Sequence, residues 1–525
     1  MKYKFIFLFI LIHYGIPIHS QSSIPNIEWQ KSFGGSAFEI AKSIVQTPDG
    51  GYITTGFSKS SDGNATMNHG DNDFWVVKMN ATGTLEWQKA LGGSGDDQAN
   101  SICTTSDGGY VIAGYTTSSN GDITLNQGYA DYWIVKLNAL GNIEWQKTYG
   151  GQNQDVATSV KQTSDGGYIV GGHSSSNSGN VTGNHGSYTY DYWVIKLDAS
   201  GNLQWQKALG GSGEEFAYDI KQTTDGGYII AGETSSQSSG DISGTYLGVK
   251  DSWIVKLGTT GNIIWEKRFG GIGTDITYSV AQTSDGGYIA SGTTTSNIGN
   301  STYNGQGDFW IIKLDTAGNL QWQNAMGSLS YDQAYSVTQT PDGNFVAAGY
   351  ISSNTGIVEP GLPTGTNFWI VKLDNSGNLL WNKVLGGDGH ETAWSIISTT
   401  DGGLAAAGNS STNPDTGDVT GNHGQSDFWI VKLSGSKESL GITESNTPEK
   451  PQIYPNPAKD IVYINHLPKE STVTVFDAVG RKISSKKYSE TSISIDTSSF
   501  ASGMYILQID SAEKNIVSEK LIIKK

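Results

Sequence analysis

The sequence predicts an all-β protein: a seven-bladed β-propeller of four-stranded blades, closed by its N-terminal strand, followed by a smaller C-terminal β domain. Glycine accounts for 69 of the 525 residues and tryptophan for 15, which is typical of short strands joined by tight turns. Two tryptophan-containing segments each recur seven times at nearly constant spacing. Self-similarity at a fixed period is the signature of a repeat architecture, so these segments set the prediction.

The first 20 residues have the pattern of a signal peptide. Lys2 and Lys4 precede eight consecutive apolar residues, from Phe5 to Ile12, and a polar stretch follows. An apolar run this short does not span the roughly 30 Å hydrocarbon core of a bilayer, which favours export and cleavage over anchoring. We therefore expect a secreted protein. Its only cysteine, Cys103, cannot form an internal disulfide and is predicted to be a small buried residue.

The repeats occupy residues 24–433 and contain two tryptophans per copy. The first lies in segments such as IEWQK and recurs every 57 to 60 residues, at Trp29, Trp87, Trp145, Trp205, Trp265, Trp322 and Trp381. The second lies in segments such as DFWVVK and recurs at the same intervals, at Trp75, Trp133, Trp193, Trp253, Trp310, Trp369 and Trp429. These large side chains are predicted to pack between blades. The lysine three residues after the second tryptophan is predicted to have a structural carboxylate partner in every copy.

Each copy is predicted to form four strands. In the first copy they are 41–47, 51–57, 73–79 and 85–91, joined by the turn PDGG, a long polar loop and a turn containing Gly83. Asp-Gly followed by Gly favours a hairpin, because glycine adopts positive φ without steric cost. Four short strands in each repeat are typical of a propeller blade.

The two ends of the repeat region predict how the ring closes. The region begins with an isolated fourth strand at 26–33 and ends with an isolated third strand at 427–433. Pairing them would complete the seventh blade and cover an edge that otherwise recruits other chains. We therefore predict six contiguous blades and one blade shared between the two ends.

The chain changes character after residue 433. Residues 434–452 are rich in Ser, Glu, Lys and Pro and are predicted to be a linker. Residues 453–525 contain YPNPAKD, VFDAVGRK, ASGMYILQI and KLIIKK in that order, and with these motifs they resemble the type A C-terminal sorting domain of the type IX secretion system. The resemblance implies a small Ig-like β-sandwich, recognition by the type IX secretion machinery at the outer membrane, and cleavage on export. It further implies a Bacteroidota-type host and a propeller that is released or fixed to the cell surface.

The charge of the chain excludes one class of partner. The total net charge is −17, and taking away the +2 of residues 1–20 and the +1 of residues 434–525 leaves −20 for the propeller. Nucleic-acid binding needs clustered lysine and arginine, so no nucleic-acid partner is expected. No segment after the signal peptide is long and apolar enough to be a transmembrane segment.

One face of the propeller is predicted to carry the binding site. The long second-to-third-strand loops and the blade-to-blade connections share this face and vary between copies, whereas the other face has uniform tight turns. Each connection has an acid at the same position, just before the innermost strand, and we predict an acidic collar around the channel mouth, suited to a polyhydroxyl ligand or to Ca²⁺. Its members are Glu39, Asp97, Asp155, Glu215, Asp275, Asp332 and Glu391. The alternative is that each carboxylate accepts backbone N–H groups in its own connection.

Three residues beyond these acids the copies differ, and four consecutive blades carry an aromatic residue. Aromatic faces stack on sugar rings while nearby carboxylates accept sugar hydroxyls, so this arc suits a glycan. The predicted ligand site comprises Glu215, Asp275, Asp332, Glu391, Tyr218, Tyr278, Tyr335 and Trp394. The alternative is that the rings fill the channel or a blade interface.

No catalytic constellation stands out in the sequence. It contains no GxSxG elbow, no HExxH and no P-loop, and its scattered histidines do not predict a zinc site. No cofactor is predicted apart from the Ca²⁺ just mentioned. The sequence favours a secreted or cell-surface, non-catalytic binding or adhesion propeller, with an extracellular glycan or a surface protein as candidate partners. A cell-surface polysaccharide hydrolase that uses two collar carboxylates, and a scaffold for protein partners, remain as alternatives.

Overall fold

A computed structural model describes residues 24–186, 188–298, 306–352, 365–412, 416–435, 451–465, 467, 470–510 and 517–525. The chain divides into two compact units, Met1–Glu438 and Ser439–Lys525, and each is described by itself. The predicted signal peptide at 1–20 lies outside the described residues, as does most of the predicted linker at 434–452. All regular elements of the described residues are strands, and no helix there is long and apolar enough to cross a bilayer.

Seven antiparallel sheets of four strands form the first unit. The first strand, β1 (Ile27–Phe33), precedes six contiguous blades. Blade 1 consists of β2 (Glu39–Gln46), β3 (Tyr52–Ser58), β4 (Asp73–Met79) and β5 (Leu85–Leu91), and blade 2 of β6 (Asp97–Thr104), β7 (Tyr110–Thr116), β8 (Asp131–Leu137) and β9 (Ile143–Tyr149). Blade 3 consists of β10 (Asp155–Gln162), β11 (Tyr168–Ser174), β12 (Asp191–Leu197) and β13 (Leu203–Leu209), and blade 4 of β14 (Glu215–Gln222), β15 (Tyr228–Thr234), β16 (Asp251–Leu257) and β17 (Ile263–Phe269).

The remaining blades repeat the same order. Blade 5 consists of β18 (Asp275–Gln282), β19 (Tyr288–Thr294), β20 (Asp308–Leu314) and β21 (Leu320–Met326), and blade 6 of β22 (Gln333–Gln339), β23 (Phe345–Ile351), β24 (Asn367–Leu373) and β25 (Leu379–Leu385). Blade 7 combines β26 (Glu391–Ser398), β27 (Leu404–Ser410) and β28 (Asp427–Leu433) with β1.

The predicted closure of the ring is confirmed. Strand β1 pairs antiparallel with β28, with Trp29 opposite Lys432 and Phe33 opposite Phe428, which gives the sheet order β1-β28-β27-β26. The innermost strands contact one another around a complete circle, β2-β6-β10-β14-β18-β22-β26 and back to β2. The repeat region is therefore a closed propeller with a central channel.

Each innermost strand has a bulge at the same place. In blade 1 the register shifts between Ala41 and Ser43, and the other six blades shift at the equivalent residues. The residue at the bulge is Lys42 in blade 1. A bulge leaves its extra residue outside the ladder of hydrogen bonds and changes the direction of its side chain. Strand pairing therefore does not restrict which residue type stands at this position.

The tryptophans pack between blades, as predicted. All seven third-strand tryptophans are fully buried, and Trp133 lies with its ring centroid 4.4 Å from that of Phe74 in the preceding blade. Most fourth-strand tryptophans are partly exposed and contact the following blade. Trp29 lies 5.5 Å from Tyr52 between centroids and also packs on Gly83 in the third-to-fourth-strand turn of blade 1. Gly83 has φ +75°, and a Cβ there would lie 2.8 Å from Trp29, so both the turn and the packing require glycine.

The lysine that recurs in every third strand has the predicted carboxylate partner. In blade 1, Lys78 Nζ lies 3.0 Å from Asp49 Oδ2 and 2.7 Å from Glu86 Oε2. Asp49 also accepts the N–H of Gly51 at 2.9 Å, so one aspartate both shapes the DGG turn and neutralises the buried lysine. The equivalent pairs are Lys136–Asp107, Lys196–Asp165, Lys256–Asp225, Lys313–Asp285, Lys372–Asp342 and Lys432–Asp401.

The second unit contains two antiparallel sheets. Its strands are β29 (Gln452–Tyr454), β30 (Ile461–Asn465), β31 (Ser471–Asp477), β32 (Lys482–Tyr488), β33 (Ser492–Asp496), β34 (Gly503–Asp510) and β35 (Val517–Ile523). The sheets have the orders β29-β30-β33 and β32-β31-β34-β35. Buried residues of both sheets, such as Val462 and Leu507, share one core. This agrees with a small sandwich, and its likeness to the Ig fold stays a prediction.

Candidate functional site

The bulge residues of the seven innermost strands line the central channel. We call them the channel ring: Lys42, Asn100, Thr158, Tyr218, Tyr278, Tyr335 and Trp394. The neighbouring positions are nearly the same in every blade, with alanine or threonine before the bulge and serine or aspartate after it. The channel ring is thus the place where otherwise similar blades present different chemistry.

Two cavities adjoin the channel ring from opposite sides. The loop-side cavity, about 320 Å³, is lined by the channel ring together with Tyr115 and Val156. The turn-side cavity, about 260 Å³, is lined by the channel ring and by the residues that follow it along the innermost strands. The loop-side volume falls at the lower end of the range that small-molecule sites occupy.

The four aromatic members of the channel ring form a continuous arc. The centroids of Tyr218 and Tyr278 are 4.9 Å apart, those of Tyr278 and Tyr335 also 4.9 Å, and those of Tyr335 and Trp394 4.2 Å. Lys42 Nζ lies 3.2 Å from the centroid of Trp394. Trp394 therefore carries both Tyr335 and Lys42 against its ring and has little open face left. This packing agrees with the alternative that the rings fill part of the channel, while Tyr218 ends the arc with a single neighbour within it.

The polar groups of the arc are held by residues behind it. Tyr335 donates its hydroxyl proton to Gln333 Oε1 at 2.5 Å, and Trp394 Nε1 donates to Asn409 Oδ1 at 3.0 Å. Burial raises the pKa of Tyr278 and Tyr335, so both phenols are protonated at neutral pH. The arc is a neutral, fixed wall.

The opposite wall of the loop-side cavity is polar. Asn100 Nδ2 donates to the carbonyl of Ala157 at 2.8 Å, which leaves its Oδ1 as an acceptor, and Thr158 Oγ1 donates to the carbonyl of Ala217 at 3.0 Å. Burial lowers the pKa of Lys42 to about 7. The cavity is therefore aromatic on one side and hydrogen-bonding on the other.

The structure corrects the predicted acidic collar. All seven connection acids have no exposed surface, including the four that were assigned to the ligand site: Glu215, Asp275, Asp332 and Glu391. Glu215 accepts the N–H of Gly211 at 2.8 Å and the hydroxyl of Thr234 at 2.7 Å. Asp275 and Glu391 accept the N–H groups of Gly271 and Gly387, and Asp332 that of Ser328. The alternative, in which each acid stabilises its own connection, is what these bonds show.

A second acid lies beside the connection acid in six of the seven blades, at the start of the third strand of the preceding sheet. Asp73 and Asp97 both approach Gly92, where a Cβ would come within 2.4 Å and 2.9 Å of their oxygens. Burial is the main cause that raises the pKa of three of these second acids and two of the connection acids to about 6: Asp131, Asp191 and Asp427, and Asp155 and Asp332. The neighbouring acid contributes as well for Asp155, Asp191, Asp332 and Asp427.

These raised pKa values predict that the propeller melts at a higher temperature near pH 4 than near pH 7. Between the ordinary value of 3.8 and the folded value of about 6, the folded protein binds protons that the unfolded chain releases. Their stabilising contribution is therefore complete below 3.8 and is lost as the pH rises through about 6. His173, whose pKa burial lowers to about 4, acts in the opposite direction. The seven aspartates of the DGG and DGN turns, such as Asp49, have a pKa lowered to about 2 and also act in the opposite direction, but they lose most of their contribution only below pH 3.8, so little of it is lost by pH 4. Calorimetry at constant ionic strength measures the effect.

A matched variant controls this pH prediction. Asn367 stands in blade 6 where the other blades have the second acid, so the fold accepts asparagine there. Asp131→Asn should flatten the dependence of the melting temperature on pH. A melting temperature that is equal at both pH values, or higher near pH 7, would contradict the prediction.

The histidines of the NHG loops contact aspartates of their own blades, and His185 Nε2 also lies 3.5 Å from Asp241 Oδ2 of the next blade. His69 Nδ1 lies 2.7 Å from Asp73 Oδ2, and His423 and Asp427 repeat the contact at 2.7 Å. In the part of the chain that the structure describes, no group of three or more His, Cys, Asp or Glu side chains is placed to hold a metal. Binding of Ca²⁺ stays a prediction without an assigned site.

Sequence reasoning missed the residues of the turn-side cavity. Lys161, Lys221 and Asp219 line it together with the channel ring. Simple alternation from the start of the strand does not place Lys161 and Lys221 in the channel, because the bulge shifts the register by one residue. The signal available in the sequence was that only two of the seven innermost strands carry a lysine at this position.

Comparisons with known proteins identify the tail. Residues 452–524 match the family model described as the secretion system C-terminal sorting domain, within one residue of the predicted bounds. The resemblance seen in the sequence is therefore confirmed. A tail of this family implies export to the cell surface or secretion.

The remaining matches are distant. Regulatory protein FlaEY of Caulobacter vibrioides is 25% identical over 195 residues, which cover 34% of this chain and 20% of that protein. An uncharacterized WD repeat-containing protein of Acanthamoeba polyphaga mimivirus is 23% identical over 356 residues, covering 52% of this chain and 26% of that protein. The chain thus spans about a quarter or less of the length of these relatives.

Solved structures that resemble this chain include Sqt1 and a WD40 domain. Sqt1 of Chaetomium thermophilum has a TM-score of 0.40 and 12% identity and covers 78% of this chain and 100% of its own. The Pan2 WD40 domain of Neurospora crassa has a TM-score of 0.42 and 10% identity and covers 74% of this chain and 88% of its own. Likenesses at these TM-scores are too weak to transfer a function.

Proposed function

We propose that this protein is an exported, non-catalytic binding propeller whose ligand site is the loop-side cavity, and that its sorting domain directs it through the type IX secretion machinery. The observation that carries the proposal is the channel ring: seven equivalent positions that carry five different residue types around one cavity. Positions that the fold requires, such as the third-strand tryptophan and lysine, are the same in every blade. The residues of the channel ring differ from blade to blade, and such variation allows them to recognise a ligand.

The ligand class that suits this cavity best is a sugar unit of an extracellular glycan. A pyranose has an apolar face and a rim of hydroxyls, and the cavity opposes an aromatic wall to a hydrogen-bonding one. Because Trp394 is covered by Tyr335 and Lys42, the accessible aromatic surface lies at the Tyr218 end of the arc. Asn100 and Thr158 lie on the polar wall. The proposal keeps the predicted rings and leaves out the four acids, which are enclosed.

A glycan array with the mature full-length chain tests this site. Tyr218→Thr and Tyr278→Asn install residues that blades 3 and 2 already carry at the channel ring, so folding should be preserved. We expect each to weaken glycan binding roughly tenfold or more, since buried aromatic anchors dominate binding energy. Tyr129→Thr changes an exposed loop tyrosine outside the cavity and should bind like the parent.

The outcomes separate the candidates. A parent protein that binds no glycan, or channel variants that bind as well as the parent, would remove the glycan site. Capture of a surface protein without any glycan would instead favour the scaffold alternative, which is supported by exposed loop side chains such as Met67 and Tyr188.

The geometry does not favour the hydrolase alternative. Glycoside hydrolysis requires a pair of carboxyl groups on either side of the scissile bond. Within the described residues, the lining of the loop-side cavity contains no carboxylate, and the connection acids are buried in hydrogen bonds of their own blades.

A further inference from the structure

We propose that the turn-side cavity is a second site, which binds a small oxyanion between Lys42, Lys161 and Lys221. The inference goes beyond the glycan site, because it concerns the opposite side of the channel ring and a different chemistry. All three lysines line this cavity of about 260 Å³. Its size admits a phosphate, a sulfate or the carboxylate of a small organic acid.

The lysines are placed by the fold but are not required by it. Lys161 and Lys221 occupy equivalent positions in β10 and β14, the innermost strands of neighbouring blades. The other blades have uncharged residues at this position: Val45, Cys103, Ala281, Thr338 and Ile397. Likewise Lys42 is the only lysine among the seven residues of the channel ring. Packing of the innermost strands therefore does not explain three lysines around one cavity.

Among the described residues that line the cavity, Asp219 is the only one with a carboxylate, and its two oxygens already accept hydrogen bonds. Asp219 Oδ2 lies 3.2 Å from Lys221 Nζ and accepts the N–H of Val280 at 3.1 Å. Its Oδ1 accepts the hydroxyl of Ser159 at 2.9 Å. Burial alone would raise its pKa, but Lys221, Lys161 and these donors lower it overall, so Asp219 is ionised. The lining thus has three basic side chains and one carboxylate.

Lys42 and Lys161 depart from a rule that the chain otherwise follows. Each third-strand lysine is buried against at least one carboxylate, as Lys78 is against Asp49. Among the described residues, neither Lys42 nor Lys161 has a carboxylate within 4.0 Å of its Nζ. Burial lowers the pKa of both. In a propeller of net charge −20, three lysines that share one carboxylate at the channel point to an anion from outside the chain, whose binding would favour the charged form of Lys42 and Lys161.

Serine hydroxyls complete the surroundings of the cavity. Ser43 Oγ accepts the N–H of Ile102 at 3.3 Å, and Ser101 Oγ accepts that of Val160 at 3.1 Å, so each links its strand to the next blade. Both serines line the cavity. Because each serine oxygen accepts a hydrogen bond, its hydroxyl proton can still be donated to a bound anion. Ammonium groups supplemented by hydroxyl donors are the groups that bind oxyanions by charge-assisted hydrogen bonds.

Isothermal titration of the mature full-length chain with sulfate, phosphate and acetate, against chloride at equal ionic strength, tests the site. We expect a saturable heat for at least one oxyanion and none for chloride, and the three arms show whether a tetrahedral or a carboxylate group is preferred. Lys161→Thr and Lys42→Asn install residues found at these positions in blades 6 and 2. Each should weaken binding roughly tenfold or more.

A matched control keeps the result interpretable. Lys89→Thr removes the same charge from the fourth strand of blade 1, which does not line the cavity, and should bind like the parent. Unchanged melting of the lysine variants in the absence of oxyanion would show that they fold. No saturable heat for any oxyanion with the parent, or equal affinity of the parent and both channel variants, would overturn the proposal. A glycan that still binds the loop side in Lys161→Thr would show that the two sites are separate.

Discussion

Removal of residues 24–33 from the mature chain should abolish the single cooperative melt of the propeller and cause the protein to associate. The deletion removes β1, so blade 7 keeps three strands and exposes the whole edge of β28. It also removes Glu28, which lies 3.1 Å from the buried Lys432, and Trp29, which packs on Tyr52 of blade 1. An unpaired edge recruits other chains, and the ring loses the contact that joins its last blade to its first. Scanning calorimetry and size-exclusion chromatography measure both effects.

Complementation provides the control for this deletion. A synthetic peptide of residues 24–33, added to the shortened chain during refolding, should restore the cooperative transition because it supplies the missing strand. The same peptide with Trp29 and Phe33 replaced by serine should not. If the shortened chain melts at the same temperature as the parent and stays monomeric, closure by β1 does not stabilise the propeller.

The second large effect is expected for Trp193→Ala. Trp193 has no exposed surface, its centroid lies 4.5 Å from that of Tyr132 in the preceding blade, and its Nε1 donates to Gln206 at 2.9 Å. Deleting a ring of this size from a core costs about 3–5 kcal/mol, since the cavity closes only in part. Gln206 also loses its donor. Urea denaturation followed by circular dichroism measures the change in the free energy of unfolding.

Trp145→Ala is the matched control for this substitution. Trp145 belongs to the fourth-strand series, is partly exposed and packs at 5.7 Å from Tyr168. Its replacement removes less buried surface, so the loss should be clearly smaller than that of Trp193→Ala. Equal losses for the two variants would mean that burial does not distinguish the two series and would contradict the packing described above.

The architecture was predictable because it rests on local signals that repeat. The DGG turns, the two tryptophan series and the unpaired strands at 26–33 and 427–433 each determine pairing through neighbours close in sequence or through a simple count. The partner of Lys78 was predictable for the same reason, since a lysine present in every copy must serve the blade. These features survive in the structure with strand ends displaced by only one or two residues.

The direction of the connection acids was not predictable from the sequence. Glu215 lies at the start of its innermost strand, as expected, but the connection folds back so that the N–H of Gly211 meets its carboxylate inside the blade. That fold-back depends on hydrogen bonds from Thr234 in the next strand, which no linear pattern reveals. The bulge in the innermost strand was likewise not predictable from the sequence. It moves Lys161 and Lys221 into the channel, and its position is set by pairing with the second strand.

The shared seventh blade is also the blade that a pulling force on the C-terminal side of the propeller reaches first. Strand β28 ends at Leu433, directly before the segment that leads to the second unit, and it lies between β1 and β27 in its sheet. A load applied through residue 434 therefore reaches a strand that is hydrogen-bonded along both edges, and extracting it requires two ladders to yield. A propeller tethered by its C-terminal side is thus held through a strand that has a hydrogen-bonded neighbour on each side. One of these neighbours is the N-terminal strand β1, which therefore helps to keep the attachment strand in place.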